Sequence, residues 1–163
     1  MEIRFFRPED TDSAAELLHE MSRHYNGDNV STLDVVRRNL INNILGPDSD
    51  VRVVVAVAGA RVVGIAMISV LYPAQKERAQ LFMKELYVGS DSRSQGTGRR
   101  LMAWIAAYAI ATNCVRFDWT VDVSNVKAVE FYRSLGASPA TDKLYFRCTG
   151  DDLRRMASEN QHS

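Results

Sequence analysis

The chain is short of most features that would mark a specialised protein. Its 163 residues include two cysteines and four prolines, and its 20 Lys and Arg are balanced by 20 Asp and Glu. Cys114 and Cys148 stand far apart with no CxxC pair, which argues against a thiolate zinc cluster or a disulfide framework, so both read as small apolar residues. Without a basic excess the chain does not read as a non-specific nucleic-acid binder, whose affinity rests on Lys and Arg set against phosphates. A local basic site stays open. No apolar run approaches the ~20 residues that a bilayer requires, the longest lying at residues 53–60 and 104–111. Residues 1–10 break their apolar run with charge, so no secretory leader and a cytoplasmic location are expected. No repeat, low-complexity tract or linker divides the sequence. Its length suits one domain, expected over residues 1–158, with a polar, frayed tail over 159–163.

What is present is an ordinary globular composition, 46% hydrophobic and 25% charged, with clear changes of period along the chain. Ile3 and Phe5 alternate with charge as a short strand that Pro8 ends. Ala14, Leu17, Leu18, Met21 and Tyr25 recur at spacings of three and four, predicting a helix over residues 10–25 with Thr11 or Asp12 as N-cap. Asn26-Gly27-Asp28-Asn29 is turn chemistry, and Ser31 or Thr32 opens a second helical pattern through Leu33, Val36, Leu40, Ile41 and Ile44. Residues 51–58 and 62–71, rich in β-branched side chains and joined at Ala58-Gly59, predict a hairpin, and residues 80–88 a further strand. A helix over 99–112, a strand over 115–121, a helix over 125–135 with Gly136 just beyond it, and a strand over 144–148 complete the order. This mixture predicts an α/β fold, a central mixed sheet flanked by helices on both faces.

Chemistry concentrates in Arg93-Ser94-Gln95-Gly96-Thr97-Gly98, between a predicted strand and a predicted helix. Glycines at such a junction let backbone N–H groups converge on an anion, and the positive end of the helix dipole adds to the attraction. A dinucleotide fingerprint would place a third glycine where Leu101 stands, and the Gly-Lys-Ser/Thr of a Walker A loop is missing. A phosphate-bearing ligand of another kind is indicated, with a plain chain turn as the alternative reading of the glycines alone.

The flanking residues carry a resemblance. Val88-x4-Arg93-x-x-Gly96-x-Gly98 resembles the acyl-CoA motif of the GNAT superfamily of N-acetyltransferases. Asn125-x-x-Ala128-x-x-Phe131-Tyr132-x-x-x-Gly136-Ala137 resembles its second signature. Leu86-Tyr87-Val88, Asp118-Trp119 and the run from Phe131 to Ala137 are most similar to its diamine and spermidine/spermine acetyltransferase-like group. The resemblance implies the GNAT fold and acetyl transfer from acetyl-CoA to a primary amine of a small molecule through a ternary complex, with no metal, and a homodimer. It puts Leu86, Tyr87 and Val88 beside the thioester and pantetheine. The pyrophosphate would rest on the amides of Ser94, Gln95, Gly96, Thr97, Gly98 and Arg99, with charge from Arg93, Arg99 and Arg100. Asn125 would contact the pantetheine arm, and Ala128 would pack near the cofactor. Tyr132 is the expected general acid, its phenol protonating the coenzyme sulfur, with core packing as the alternative. Glu85 is the expected carboxylate that orients the ammonium or takes its proton through water. His24 and Tyr25, at the loop after the first helix, are expected on the substrate side.

Two departures from that group bear on the substrate. The group carries tandem acids where this chain has Lys84-Glu85, and neighbours in a strand face opposite ways, so Glu85 does not simply replace the missing acid. An ammonium at Lys84 opposes a dicationic polyamine and favours an amine that also carries a carboxylate, such as an amino acid. Val123-Ser124 replaces an Asp-Trp pair before Asn125, which removes an aromatic from the substrate wall. Acetylation of a protein lysine or N-terminus, and a catalytically weak acyl-CoA sensor, are the competing readings. The zero net charge is itself uneven: residues 1–50 hold 5 basic and 10 acidic side chains, and residues 51–100 hold 8 and 3. That division suits a protein that brings a cation and a polyanion together.

Overall fold

Residues 52–58 read Arg-Val-Val-Val-Ala-Val-Ala, apolar on both sides of an extended chain, a pattern that suits a strand covered on both faces. In the computed structural model, which describes residues 1–159, this segment is β2 (Arg52–Ala58), buried from Val53 to Val57. It lies second in a five-stranded sheet with β1 (Glu2–Phe5), β3 (Arg61–Leu71), β4 (Ala79–Val88) and β5 (Cys114–Trp119), ordered as in the sequence. β1 to β4 pair antiparallel, and β5 runs parallel to β4. A parallel neighbour needs a crossover, which α3 (Thr97–Ala111) supplies. The mixed sheet of the sequence reading is the one observed.

Each face of β2 meets a different helix. Val53, Val55 and Val57 join Ile65, Met67 and Tyr87 in one cluster with Ala14, Leu17 and Leu18 of α1 (Thr11–Asn26). Val54 and Ala56 lie on the opposite face, where α3 buries Leu101 and Ile105 completely. α3 packs closely enough that a Cβ on Gly64 would stand 3.0 Å from Leu101 Cδ1 and 3.1 Å from Thr97 Cγ2. Glycine there lets the start of α3 lie against β3. Asp10, 5% exposed, ties β1 to the start of α1: it takes two bonds from the Arg4 guanidinium at 2.6 and 2.9 Å and one from the Arg7 amide at 2.7 Å. The Arg4 bond holds its carboxyl below the usual range, burial opposing and the Arg7 amide assisting. α2 (Leu33–Asn39) is capped by Thr32, whose Oγ1 accepts from the Val35 amide, and widens into a π turn at Leu40–Ile44 that buries Leu40.

These elements belong to a compact unit, Met1–Asp122; the second unit, Val123–Ser163, is described to residue 159 and contains α4 (Val126–Ser134) and α5 (Gly150–Ser158). Here the sequence reading needs correction. The strand expected over 144–148 is not formed, and Leu144, Tyr145 and Phe146 are 82, 74 and 86% exposed. Aromatic and β-branched residues suit a strand, but a strand exists through pairing, and the described part of this unit has none to offer. α5 was not foreseen: it buries no residue and is marked chiefly by the pairs Asp151–Arg154 and Asp152–Arg155, three residues apart. Both cysteines are free, Cys114 buried and Cys148 partly so. Among the described residues no helix is long and apolar enough to cross a membrane.

Candidate active site

The geometry of the site begins with one extra residue. β4 pairs Met83 with Ile68 and Glu85 with Met67, so Lys84 is inserted as a β-bulge. Before it, Leu81 and Met83 are buried; after it, Glu85 and Tyr87 lie opposite Met67 and Ile65, members of the α1-side cluster. The bulge therefore brings Glu85 to the α1 face, which strict alternation from Met83 would have denied it. It also places Lys84 Nζ 3.8 Å from Glu85 Oε1. The simple expectation that these neighbours face apart does not hold at a bulge.

The bulge coincides with a parting of strands. β5 pairs with β4 only as far as Met83, opposite Trp119, and beyond it β4 has β3 on one side alone among the described residues. Gly89 donates to Val63 O at 3.0 Å, so alternation turns the backbone of Tyr87 toward β3 and that of Leu86 and Val88 outward. Leu86 and Val88 thus present N–H groups along an open edge. Tyr87 contributes its side chain instead, turned to α1.

The open edge leads into the glycine loop. Ser94 and Gly96 take positive φ values of 61° and 77°, and Gly96 is the N-cap of α3. No atom would meet a Cβ on Gly96, so its glycine serves the left-handed backbone rather than space. The loop is held from within, the Gln95 side-chain Nε2 donating to Asp91 O at 2.9 Å and the buried Thr97 hydroxyl to Ser92 O at 3.3 Å. The first ladder bond of α3 runs from the Arg100 amide to Gly96 O, so the amides of Thr97 and Gly98 lie ahead of the helical ladder, at the end of the helix that faces the glycine loop. The first turn has no acidic residue and carries Arg99 and Arg100. Such a helix start attracts anions. Arg93 behaves differently: its Nε donates to Val88 O at 3.0 Å and its guanidinium lies 5.2 Å from the centre of the Tyr87 ring.

On the α1 face, His24 and Tyr25 stand in the last turn of α1, not in the following loop. Their rings lie 5.9 and 6.4 Å from that of Tyr87. Burial first, then the charge of Glu85, raises the Tyr25 phenol above its ordinary range. Tyr87, 4% exposed, gives its hydroxyl hydrogen to Glu20 Oε1 at 3.0 Å, and burial together with that bond pushes its phenol up to about 12. The same oxygen accepts the Ser90 amide at 2.8 Å. Burial works against the Glu20 carboxylate, but the Ser90 amide, Tyr87 and Arg93 outweigh it and hold the group below its usual value. Glu20, His24, Tyr87 and Arg93 help line a groove of about 440 Å³. A second, of about 650 Å³, lies between α1, α2 and Met67.

In the second unit Asn125 is the N-cap of α4, its Oδ1 accepting the Ala128 amide at 3.2 Å. Asn125, Ala128 and Tyr132 follow at spacings of three and four, so they share one face of that helix. The Tyr132 ring lies 5.3 Å from Phe131. Gly136, at φ 87°, ends the helix just where the sequence placed it. The first unit thus gathers His24, Tyr25, Glu85, Tyr87, Arg93 and the open edge, and α4 aligns the other three.

The chain has counterparts among known proteins. The family model described as acetyltransferase (GNAT) family matches residues 15–137. The chain belongs to this family. It is 31% identical over 102 residues to a thialysine N-epsilon-acetyltransferase of Mus musculus, covering 61% of this chain and 59% of that protein. To an L-ornithine N5-acetyltransferase of Arabidopsis thaliana it is 26% identical over 99 residues, 61% of this chain and 43% of that one. The chain spans less than two thirds of the length of these curated relatives. The solved structure of an integron cassette protein from the mobile metagenome of V. cholerae superposes with a TM-score of 0.91 at 34% identity, over 96% of both chains.

Within this GNAT member, sequence reasoning missed Glu20 and Ser90 and the structural meaning of Lys84. Glu20 looks like any solvent-face acid on an amphipathic helix, and its partners lie 67 and 70 residues away. Lys84-Glu85 did stand out as a departure, which was the available signal for the bulge.

Proposed function

We propose that the chain is an N-acetyltransferase that moves an acetyl group from acetyl-CoA to the primary amine of a small amino acid or related amine, with residues 1–158 as its domain. The observation that carries this is the open half of β4, whose outward amides lead directly to the glycine-capped start of α3. That continuity suits a ligand with an amide-rich arm at one end and a diphosphate at the other. Leu86 and Val88 would hold the arm, and the amides of Thr97, Gly98 and Arg99, with the charge of Arg99 and Arg100, the diphosphate. Ser94, Gln95 and Gly96 shape that loop. When bound, acetyl-CoA supplies an acetyl group activated as a thioester.

The remaining work falls to side chains. An alkylammonium of pKa about 10 must lose a proton before it is nucleophilic. Glu85 orients the ammonium and accepts that proton at its carboxylate, directly or through water. The family resemblance assigns the general acid to Tyr132 Oη, and the coenzyme arm and its surroundings to Asn125 and Ala128. Lys84 beside Glu85 sets a cation next to an anion, a pairing that suits an amino-carboxylate better than a dication. The named relatives act on thialysine and ornithine, both amino acids with a side-chain amine.

The test is thiol release from acetyl-CoA across a panel of basic amino acids, polyamines, aminoglycosides and lysine peptides. Amine-dependent release, highest with the amino acids, is the expected result. CoA binding with no release from any amine would establish a sensor, and release with peptides alone a protein acetyltransferase. Tyr132→Phe should lower kcat by about 10²- to 10³-fold; near-native turnover would remove the acid role from Tyr132.

A further inference from the structure

We infer that Glu20 and Tyr87 form a positioning pair that latches the phosphate loop to α1 and thereby sets affinity for the coenzyme. The inference deepens the acetyltransferase reading and rests on it. Four other residues touch this pair: Ser90, Arg93, His24 and Tyr25. Glu20 Oε1 accepts from Tyr87 Oη at 3.0 Å and from the Ser90 amide at 2.8 Å, so one oxygen joins the helix, the end of β4 and the first residue of the turn that opens the loop. The Tyr87 ring carries the Arg93 guanidinium at 5.2 Å, and Arg93 in turn bonds Val88 O at 3.0 Å. His24 and Tyr25 rest against the same ring.

Gly89 supplies an independent sign that the approach of α1 matters. Its φ of −55° is open to any residue, yet a Cβ there would stand 3.1 Å from Leu17 Cδ1 and 3.5 Å from Glu20 Oε2. Glycine at 89 is what lets α1 reach the loop, as glycine at 64 lets α3 reach β3.

Two consequences follow from the geometry. The Ser90 amide is fixed by a carboxylate rather than by the sheet, so the path of residues 90–96 depends on a side chain of α1. Arg93 is held over Tyr87 by ring and carbonyl, so the Tyr87 hydroxyl, in anchoring the ring, anchors Arg93 as well. Neither Glu20 nor the Tyr87 hydroxyl need touch the coenzyme for both to govern how well the loop is formed before it arrives, and preformed loops bind more tightly.

Calorimetric titration with CoA on the native chain and the variants Glu20→Ala, Glu20→Gln, Tyr87→Phe and Glu20→Ala/Tyr87→Phe tests this, with thermal unfolding run on each. Glu20→Ala should weaken CoA about 10-fold. Glu20→Gln, whose carbonyl still accepts the Ser90 amide, should recover most of that loss, and Tyr87→Phe should cost about 3-fold. The double variant should bind no more weakly than Glu20→Ala, since both changes break one network. In turnover the losses should fall on the KM for acetyl-CoA more than on kcat. Native affinity in Tyr87→Phe and Glu20→Gln together with equal stability, equal losses in the Ala and Gln variants, or fully additive losses in the double variant would each overturn the latch. Should Glu20→Ala not fold, the Gln and Phe variants decide the matter. A native chain that binds no CoA would overturn the acetyltransferase reading and the latch together, whereas native binding with indifferent variants overturns the latch alone.

Discussion

The two halves of β4 belong to one strand and do opposite things. From Leu81 to Met83 the strand is paired on both sides, with β3 and β5, and Ala79, Leu81 and Met83 are buried. From Lys84 to Val88 it is paired on one side, and its free edge and charged side chains form the candidate site. A strand whose backbone bonds are all satisfied by neighbours stabilises the sheet and has no donors left for a ligand. The donors for a ligand exist where a neighbour has been lost, and the bulge marks the change. On the proposed reading, stability and binding are separated within a single ten-residue strand.

Removing the bulge should break that separation most completely. Deletion of Lys84 restores regular alternation while keeping Glu85 opposite Met67, and it allows the two halves to run straight. With the outward donors displaced, turnover should fall by about 10³-fold or more, while far-UV circular dichroism still reports a folded mixed protein. Retained activity would show that the bulge is incidental.

The next effects oppose the halves directly. Leu81→Ala, in the closed half at a wholly buried position, should cost about 3 kcal/mol in denaturant unfolding and leave kcat/KM intact well below the melting temperature. Glu85→Gln, in the open half, should do the reverse: about a 10²-fold loss of turnover with stability within about 0.5 kcal/mol of native. Crossed results would show that the division is not real.

The smallest effect is a pH dependence. Tyr87 has its phenol pushed up to about 12 by burial and by its bond to Glu20. The folded state therefore holds the Tyr87 proton more tightly than the unfolded state, whose tyrosine titrates near 10. The stabilisation is fully present below about pH 10 and is lost as pH rises towards 12. Unfolding of the native chain against Tyr87→Phe at a series of alkaline pH values should show the native advantage shrinking over that window. A constant difference would count against the buried Tyr87–Glu20 bond.

Much of the architecture was legible because it follows from local periodicity. The β-branched run of residues 51–58 announced β2, the three-and-four spacing of Leu17, Leu18 and Met21 announced α1, and the glycines at 96 and 98 marked a helix start that the sequence reading set at Arg99, two residues after the observed Thr97. Residues 144–148 show where this logic stops: their pattern is that of a strand, yet a strand needs an edge to pair with, and local sequence carries no information about the edge. α5 escaped notice for the complementary reason, since it has a charged pattern and no buried face.

The sequence by itself determined where β1 to β5 and α1 to α4 lie along the chain, the Tyr132-bearing helix among them, because each depends on residues within a turn or two of one another. Tertiary structure decided which face Glu85 occupies, that β4 loses its β5 partner beyond Met83, and that a surface-looking Glu20 would hold the Ser90 amide and the Tyr87 hydroxyl. Those depend on register between strands and on contacts across 67 to 70 residues, where the deciding quantity is which groups packing brings together, not what any one segment prefers.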